Sequence, residues 1–548
     1  MRRRNPLVVL ALAGTLALSV PGRATGPKFF DDDPISRDPE TQDASRVQPI
    51  EISQQFDYVE NSFFKPGDRA SVRAVNVNTL DEVPDSGWFT NRAGGARWLP
   101  ADAAKGPDTG VGPAAGPWTI VAAKTEGVTP GMTIRDSAGD VYFIKFDPPS
   151  NPEMASGAEV IATKFFHAFG YHVPENYVAT LRPATLVIGA GVRVKDADGR
   201  LHPMRPSDVD TVLAKAARHA DGGYRVLASK ALAGTPVGHF RYYGTRPDDP
   251  NDIHPHEQRR ELRGLSVFAA WLNHDDSRSI NTLDTLVRDG TRAVVRHNLI
   301  DFGSTLGSGS TQAQTARAGN EYIWESRPTI VTMLTLGFYV RPWVKVDFAD
   351  YPSIGRFESS YFLPEAWKPE YRNPAFANAR PEDRFWAARI VAAFPDDTIR
   401  SIVQTARYSD AQAAEYLVET LVARKGKVLR AWLNGTNPVV NPALNAAGVL
   451  TFENAAELAG VAKAAERYTI EWSRFDNATG AHEPAGPEAT VTEPRAQVPA
   501  SLLAAKPQFI AARLRAFHRD HPAWAQPLMM YFRQMEGGWK LVGLERNP

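Results

Sequence analysis

The chain has 548 residues, 43% of them apolar, which is too long for one compact core and supplies enough apolar side chains for two or more globular units. Lysine plus arginine and aspartate plus glutamate number 62 each, and no basic stripe interleaved with aromatic residues occurs, so nucleic-acid binding has no support. The absence of cysteine excludes disulfides, thiolate metal sites and a cysteine nucleophile, without fixing the compartment.

Arg2, Arg3 and Arg4 precede an apolar run from Leu7 to Val20, followed by Pro21, Gly22 and small residues. This is the layout of a signal peptide over residues 1–25, and it implies a periplasmic or secreted protein. The run falls short of the roughly 20 residues a membrane span needs, so no span is expected in the mature chain. Removing the leader with its arginines leaves a slightly acidic chain. Residues 26–115, polar and rich in Pro, Gly and Asp, read as an N-terminal extension that wraps the body, with a short helix from Ile52 to Phe64.

From Trp118 the pattern changes to β-branched and aromatic runs separated by Gly and Pro turns: Trp118 to Lys124, Met132 to Arg135 and Val141 to Phe146. These predict consecutive antiparallel strands. Ser156 with Glu159 three residues later matches a capping box, and Ile161, Phe165 and Phe169 continue at helical spacing. Further strands are expected at Tyr177 to Leu181, Ala184 to Val194 and Tyr224 to Leu232. Residues 116–255 therefore form a β-rich unit with one important helix.

Residues 256–445 read as mainly helical. Leu262, Leu265, Phe268, Ala269 and Leu272 share one helix face, two short β-like runs follow near Thr282 to Arg288 and Arg292 to Ile300, and later helices cover Asp383 to Phe394 and Ser409 to Trp432. The last is opened by Ser409 and Gln412 in capping-box spacing, and Trp386 and Trp432 read as core. Residues 446–548 look like a small α+β module, with a strand from Tyr468 to Phe475, a helix from Gln508 to Arg519 and a hairpin from Met529 to Leu544 turning at Glu536-Gly537-Gly538.

Three places can carry chemistry. Lys145 stands inside an apolar strand and Glu159 near the start of the next helix; a strand lysine facing a cleft neutralises phosphates, and a helix glutamate holds it by an ion pair. Gly127 and Gly131, just before, permit close backbone approach, although hairpin turns explain them equally well. The second place is Asn273-His274-Asp275-Asp276-Ser277-Arg278-Ser279-Ile280-Asn281. Here a carboxylate can take the proton of an acceptor hydroxyl, an asparagine five residues on can reach a metal, and Arg278 can counter phosphate charge. Asp275 competes with Asp276, and the spacing to Asn281 favours Asp276. The third is Asp301-Phe302-Gly303 at the end of a β-like run, where a carboxylate can ligate magnesium.

In this order the elements resemble the atypical branch of the protein-kinase-like fold, including HipA-type kinases and phosphoinositide 3-/4-kinases, over roughly residues 115 to 440. The resemblance implies an α+β, two-lobed fold with a β-rich N-lobe and a mainly α C-lobe, and ATP with Mg2+ as cofactors. It implies Lys145 on the ATP phosphates, Glu159 paired with Lys145, Asp276 as catalytic aspartate, and Asn281 with Asp301 on magnesium. The phosphate acceptor would be a protein or small-molecule hydroxyl. The His-Arg-Asp of ordinary protein kinases is absent, as is an Ala-Pro-Glu segment, and Arg278 stands where other members carry lysine or histidine. Tyr224 to Leu232 is the candidate interlobe strand and hinge. Two other readings are a catalytically inactive kinase-like nucleotide-binding or scaffold protein, and a metal-dependent hydrolase using His254, His256, His274, Asp275 and Asp276. Oligomeric state is not legible.

Overall fold

The computed structural model describes residues 26–124, 129–196 and 198–547. The leader over residues 1–25 and Gly127 lie outside the described residues. The protein is a mixed α+β structure with several separate sheets.

The N-terminal stretch carries α1 (Gln54–Val59), extended by a π-helical turn at Glu60–Phe64, and α2 (Pro100–Lys105). It runs along the body rather than forming a core of its own. Phe29 is buried against Phe475, Phe509, Met529 and Tyr531, near the other end of the chain. Ala44 and Val47 pack on Val237 and Val295.

The first sheet is built from β1 (Trp118–Ala123), β2 (Gly131–Arg135), β3 (Val141–Phe146), β4 (Asn176–Leu181), β5 (Leu186–Ile188) and, after the small hairpin β6 (Arg193–Lys195) and β7 (Leu201–Pro203), β8 (Tyr224–Lys230). Its order is β4-β8-β3-β2-β1-β5. Alternation makes it: Tyr142, Ile144 and Phe146 of β3 enter a core with Ile120, Ile134, Val226 and Ala228, which leaves Phe143 and Lys145 on the opposite face. The single strand expected from Ala184 to Val194 is instead broken: a 3-10 turn at Pro183–Thr185 precedes β5, and the chain turns at Gly191 (φ +76°) before β6.

Between β3 and β4 lies α3 (Met154–Phe169), and α4 (Pro206–Leu213) precedes β8. The capping-box reading of Ser156 is corrected here. The helix starts two residues earlier, and Ser156 sits inside it, with its backbone N–H and hydroxyl donating to the Asp147 carboxylate at 2.8 and 2.5 Å. Asp147 thus takes the partner that Glu159 was expected to cap, and Glu159 is free to face the sheet.

After β8 the chain crosses through residues 231–234 to β9 (Thr235–Gly238), which pairs with β10 (Thr282–Asp289); β11 (Arg292–Leu299) completes a three-stranded sheet. Of the stretch Tyr224 to Leu232, Tyr224–Lys230 is strand β8 of the first sheet and only Ala231 and Leu232 enter this crossing. Helix α5 (Arg260–Leu272) lies between β9 and β10, and α6 (Ser326–Leu334), α7 (Pro374–Ala377), α8 (Pro381–Ala392), α9 (Asp396–Gln404) and α10 (Ala411–Trp432) follow β11. Of these, α5, α8, α9 and α10 surround a core containing Phe268, Trp271, Phe385, Trp386, Ile402 and Leu421. The N-cap of α10 is Asp410, whose carboxylate accepts from Gln412 N and Ala413 N, not Ser409.

The remaining chain adds β12 (Val439–Leu444), β13 (Val449–Asn454), α11 (Ala455–Leu458), β14 (Arg467–Phe475), β15 (His482–Pro484), β16 (Ala489–Val491), β17 (Arg495–Gln497), α12 (Ala500–Ala504), β18 (Phe509–Phe517), β19 (Leu528–Met535) and β20 (Gly538–Arg546). The helix expected over Gln508 to Arg519 is the strand β18. Alanine, leucine and arginine favour a helix locally, but β14 and β19 pair with this segment on both sides, and Arg513 and Arg515 both reach Glu471 of β14. Among the described helices none is long and apolar enough to cross a membrane.

Candidate functional site

Strand register places Lys145 opposite Gly131 on one side and Leu227 on the other, on the sheet face that α3 covers. From α3, the buried Glu159 reaches it with both carboxylate oxygens, at 3.1 and 3.0 Å from Nζ. From the end of β11, Asp301 adds a third contact, with Oδ1 2.7 Å from the same nitrogen. One ammonium therefore joins the sheet, the helix and the Asp301 turn. Burial pushes the Lys145 pKa down, but Asp301 and then Glu159 outweigh it and hold the ammonium above the usual lysine range. Burial also works to raise Asp301, yet Lys145 beside it brings that carboxyl below its ordinary value. Glu159 is raised by burial against the pull of Lys145.

The Asp301-Phe302-Gly303 turn is pinned from within. Phe302 is fully buried and stacks on Phe166 of α3 with ring centroids 4.7 Å apart. A Cβ at Gly303 would stand 3.0 Å from Ser310 Oγ and 3.3 Å from Glu159 Oε2, so a larger residue would crowd the glutamate. The backbone of Asp301 is left-handed (φ +58°), and its side chain keeps 49% of its surface exposed. A recess opens here, bounded by Thr129, Lys145, Glu159, Leu227, Asp301 and Ser310.

The second loop begins where α5 ends on Asn273 in the left-handed region (φ +51°). Asn281 closes it by donating from Nδ2 to the Asp276 carbonyl at 2.8 Å. The backbone carbonyl of Asn281 accepts from Ile300 N at 3.0 Å, which fixes this loop directly beside Asp301. Arg278 forms ion pairs with Asp276 and, at 3.3 Å, with Glu370. Burial raises Asp276 to about 6 against the pull of Arg278. Asp275 rises to about 8, through burial first and then the charges of Asp276 and Glu370. Asp275 also accepts from Gln314 Nε2 at 2.8 Å. The two neighbouring carboxyls thus have separated proton affinities and different partners.

Lys145, Glu159, Asp301, Asn281, Asp276 and Arg278 fall into one connected region. Gly131 lies within it, but its role there is steric: a Cβ would come 2.3 Å from the Ile144 carbonyl oxygen of the paired strand. The histidines of the hydrolase reading do not converge. His256 is buried, with Nε2 2.7 Å from Asp252 and Nδ1 against the Arg241 carbonyl, and His274 lies beside the stacked pair Phe166 and Phe302, where burial lowers it to about 4. Among the described residues no group of three or more His, Cys, Asp or Glu is placed to hold a metal ion.

Sequence reasoning missed three participants. Lys124 ends near the site and donates to the Thr129 carbonyl at 2.7 Å; burial and the Lys145 charge lower its pKa. Its position just past a strand was the available signal. Glu370 and Asp57 had none. Asp57 is buried under the second loop, accepting from Ser279 Oγ at 3.0 Å and Tyr371 Oη at 2.5 Å.

No protein-family model matches the chain, and no curated protein matches it. Among solved structures, the proinflammatory kinase CtkA of Helicobacter pylori is similar at 14% identity and a TM-score of 0.30, over 56% of this chain and 95% of that one.

Proposed function

We propose that this chain is an exported atypical kinase that transfers the γ-phosphate of ATP to a hydroxyl of a protein or small molecule. The observation that carries the reading is the placement of Lys145 between Glu159 and Asp301, with Asn281 bonded to the residue preceding Asp301. A cation pinned by two carboxylates beside an amide is a site built to receive phosphate charge and a hard cation together.

The donor chemistry fits magnesium. The Asp301 carboxylate is held ionised and half-exposed, and the Asn281 amide oxygen remains to accept once its nitrogen is committed to Asp276. Magnesium takes one or two protein oxygens with phosphates and water, so an all-protein cage is not required. Bound Mg-ATP would supply the transferable phosphoryl group and the charge that neutralises it. Lys145 and Lys124 provide fixed positive charge on the sheet side, Glu159 keeps Lys145 aligned, and Gly131 admits the close strand pairing that aims it. Asp276 orients the acceptor hydroxyl and receives its proton. Arg278 holds Asp276 in place and offers its own charge to phosphate oxygens. The two-lobed kinase organisation is supported by the order of the first sheet and by the crossing from β8 to β9, which leads from that sheet into the second. Export is supported by the leader sequence.

The test is thermal shift with ATP in the presence and absence of magnesium, paired with transfer of labelled γ-phosphate. Stabilisation by ATP only with magnesium, together with transfer, is the expected result. No magnesium-dependent stabilisation sinks the nucleotide reading, and binding without turnover reduces the protein to a kinase-like binding module.

A further inference from the structure

The N-terminal stretch reaches the second loop through a buried charge. Asp57 of α1 is 1% exposed. Its carboxylate accepts from Ser279 Oγ at 3.0 Å, Tyr371 Oη at 2.5 Å and Asn61 Nδ2 at 2.9 Å, all neutral donors, and among the described residues it forms no ion pair. Burying a carboxylate on neutral donors alone is costly, and fastening a surface segment to the body does not require it. Apolar contacts serve that purpose elsewhere in the same stretch, as at Phe29 and Val47.

Two of these partners show what the charge is placed to do. Ser279 follows Arg278 and Tyr371 follows Glu370, and Arg278 and Glu370 form the ion pair that stands beside Asp276. The same two segments are joined again where Glu370 N donates to the Asp275 carbonyl at 2.7 Å and Asn373 Nδ2 to the Ser277 carbonyl at 3.3 Å. Asp57 spans both segments from a third element, and the neighbouring Tyr58 packs on Tyr371 with ring centroids 5.5 Å apart. Arg278 is held between Asp276 and Glu370, so the spacing of the two segments decides how it meets each of them. Asp57 fixes that spacing.

We propose that Asp57 is a positioning residue of the transfer site, a clamp from the N-terminal stretch that sets the second loop against residues 370–373 and, through Arg278, aims Asp276 at the acceptor hydroxyl. Its effect on turnover rests on the kinase reading, while the clamp itself rests on the contacts alone. The N-terminal stretch is then a working part of the site and not a cover for it. A group that acts on chemistry through the alignment of another is expected to change the rate of the bound complex more than the binding of nucleotide.

The experiment measures turnover and peptide-resolved hydrogen exchange on the full chain. Asp57→Asn keeps the side-chain shape and removes the charge, and Tyr371→Phe removes one donor while keeping the ring, so the second variant carries the same readouts should the first not fold. Each should lower kcat about tenfold or more with KM for ATP within about twofold. Exchange should rise at residues 274–282 and 370–373 and hold steady at Phe509–Phe517. Together the two substitutions should cost no more than the larger alone, because both open one clamp. Glu60→Gln, which frees the same stretch from Tyr243, should leave kcat within about twofold. Unchanged exchange at residues 274–282 overturns the proposal whatever kcat does. So does a rise that spreads equally to Phe509–Phe517, or, in a chain that transfers phosphate, an unchanged kcat. Absence of transfer in the unaltered chain counts against the kinase reading alone, and exchange still decides the clamp.

Discussion

Two ion networks in this protein use the same kinds of groups to opposite ends. On α5, Arg260 contacts Asp81 at 2.8 Å and Asp383 at 3.1 Å, while Arg263 reaches Asp383 at 3.3 Å, with every side chain 5% exposed or less. Around Lys145 a single cation meets two carboxylates, and Asp301 is about half open to the recess. The first network ties the N-terminal wrap to two packed helices and leaves nothing to react. The second holds a carboxylate ionised and then leaves part of it uncovered, which is the condition for binding something from outside.

The largest effect should come from breaking the closed network. Arg260→Ala removes the buried cation that Asp81 and Asp383 share, leaving Asp383 with Arg263 and Asp81 with Arg73, and should cost about 3–5 kcal/mol, read by urea unfolding. A loss under about 1 kcal/mol would show that the network only decorates the packing. In the open network the loss should fall on activity instead. Asp301→Asn should slow phosphoryl transfer about 100- to 1000-fold, some 2.7–4 kcal/mol of barrier, while unfolding free energy moves by only about 1 kcal/mol because the group is half-exposed. Equal losses in both measurements would erase the distinction between the two networks.

The smallest effect concerns pH. Asp276 must be ionised to take a proton, so kcat/KM should climb as pH rises through about 6. Arg278→Gln removes the cation that favours the charged carboxylate, and the rising limb should move up by about one pH unit. A limb that stays put or moves down takes the proton-accepting role away from Asp276.

What could be read from sequence was what short-range pattern encodes. Strand alternation around Lys145 and the apolar face ending at Leu272 locate the two loops without tertiary information. The failures share one cause. Ser156 has the spacing of a cap, but an aspartate nine residues upstream claims it. The segment Phe509–Phe517 carries helix-favouring residues, but its neighbours in the sheet come from 40 residues before and a dozen after. Asp57 joins the second loop across more than 200 residues, a separation at which no local pattern speaks. The finer features of the site are thus set by partners distant in sequence, and its outline by partners that are near.

The position of Phe29 has a consequence for how the chain is made. Its pocket is formed by Phe475, Phe509, Met529, Tyr531 and Val542, all far downstream of it in the chain. While the chain emerges in order, Phe29 has nothing to close against until these residues follow it. Asp57 docks on other terms, since its partners Ser279 and Tyr371 lie upstream of those strands, so the wrap closes in stages and Phe29 is its last latch.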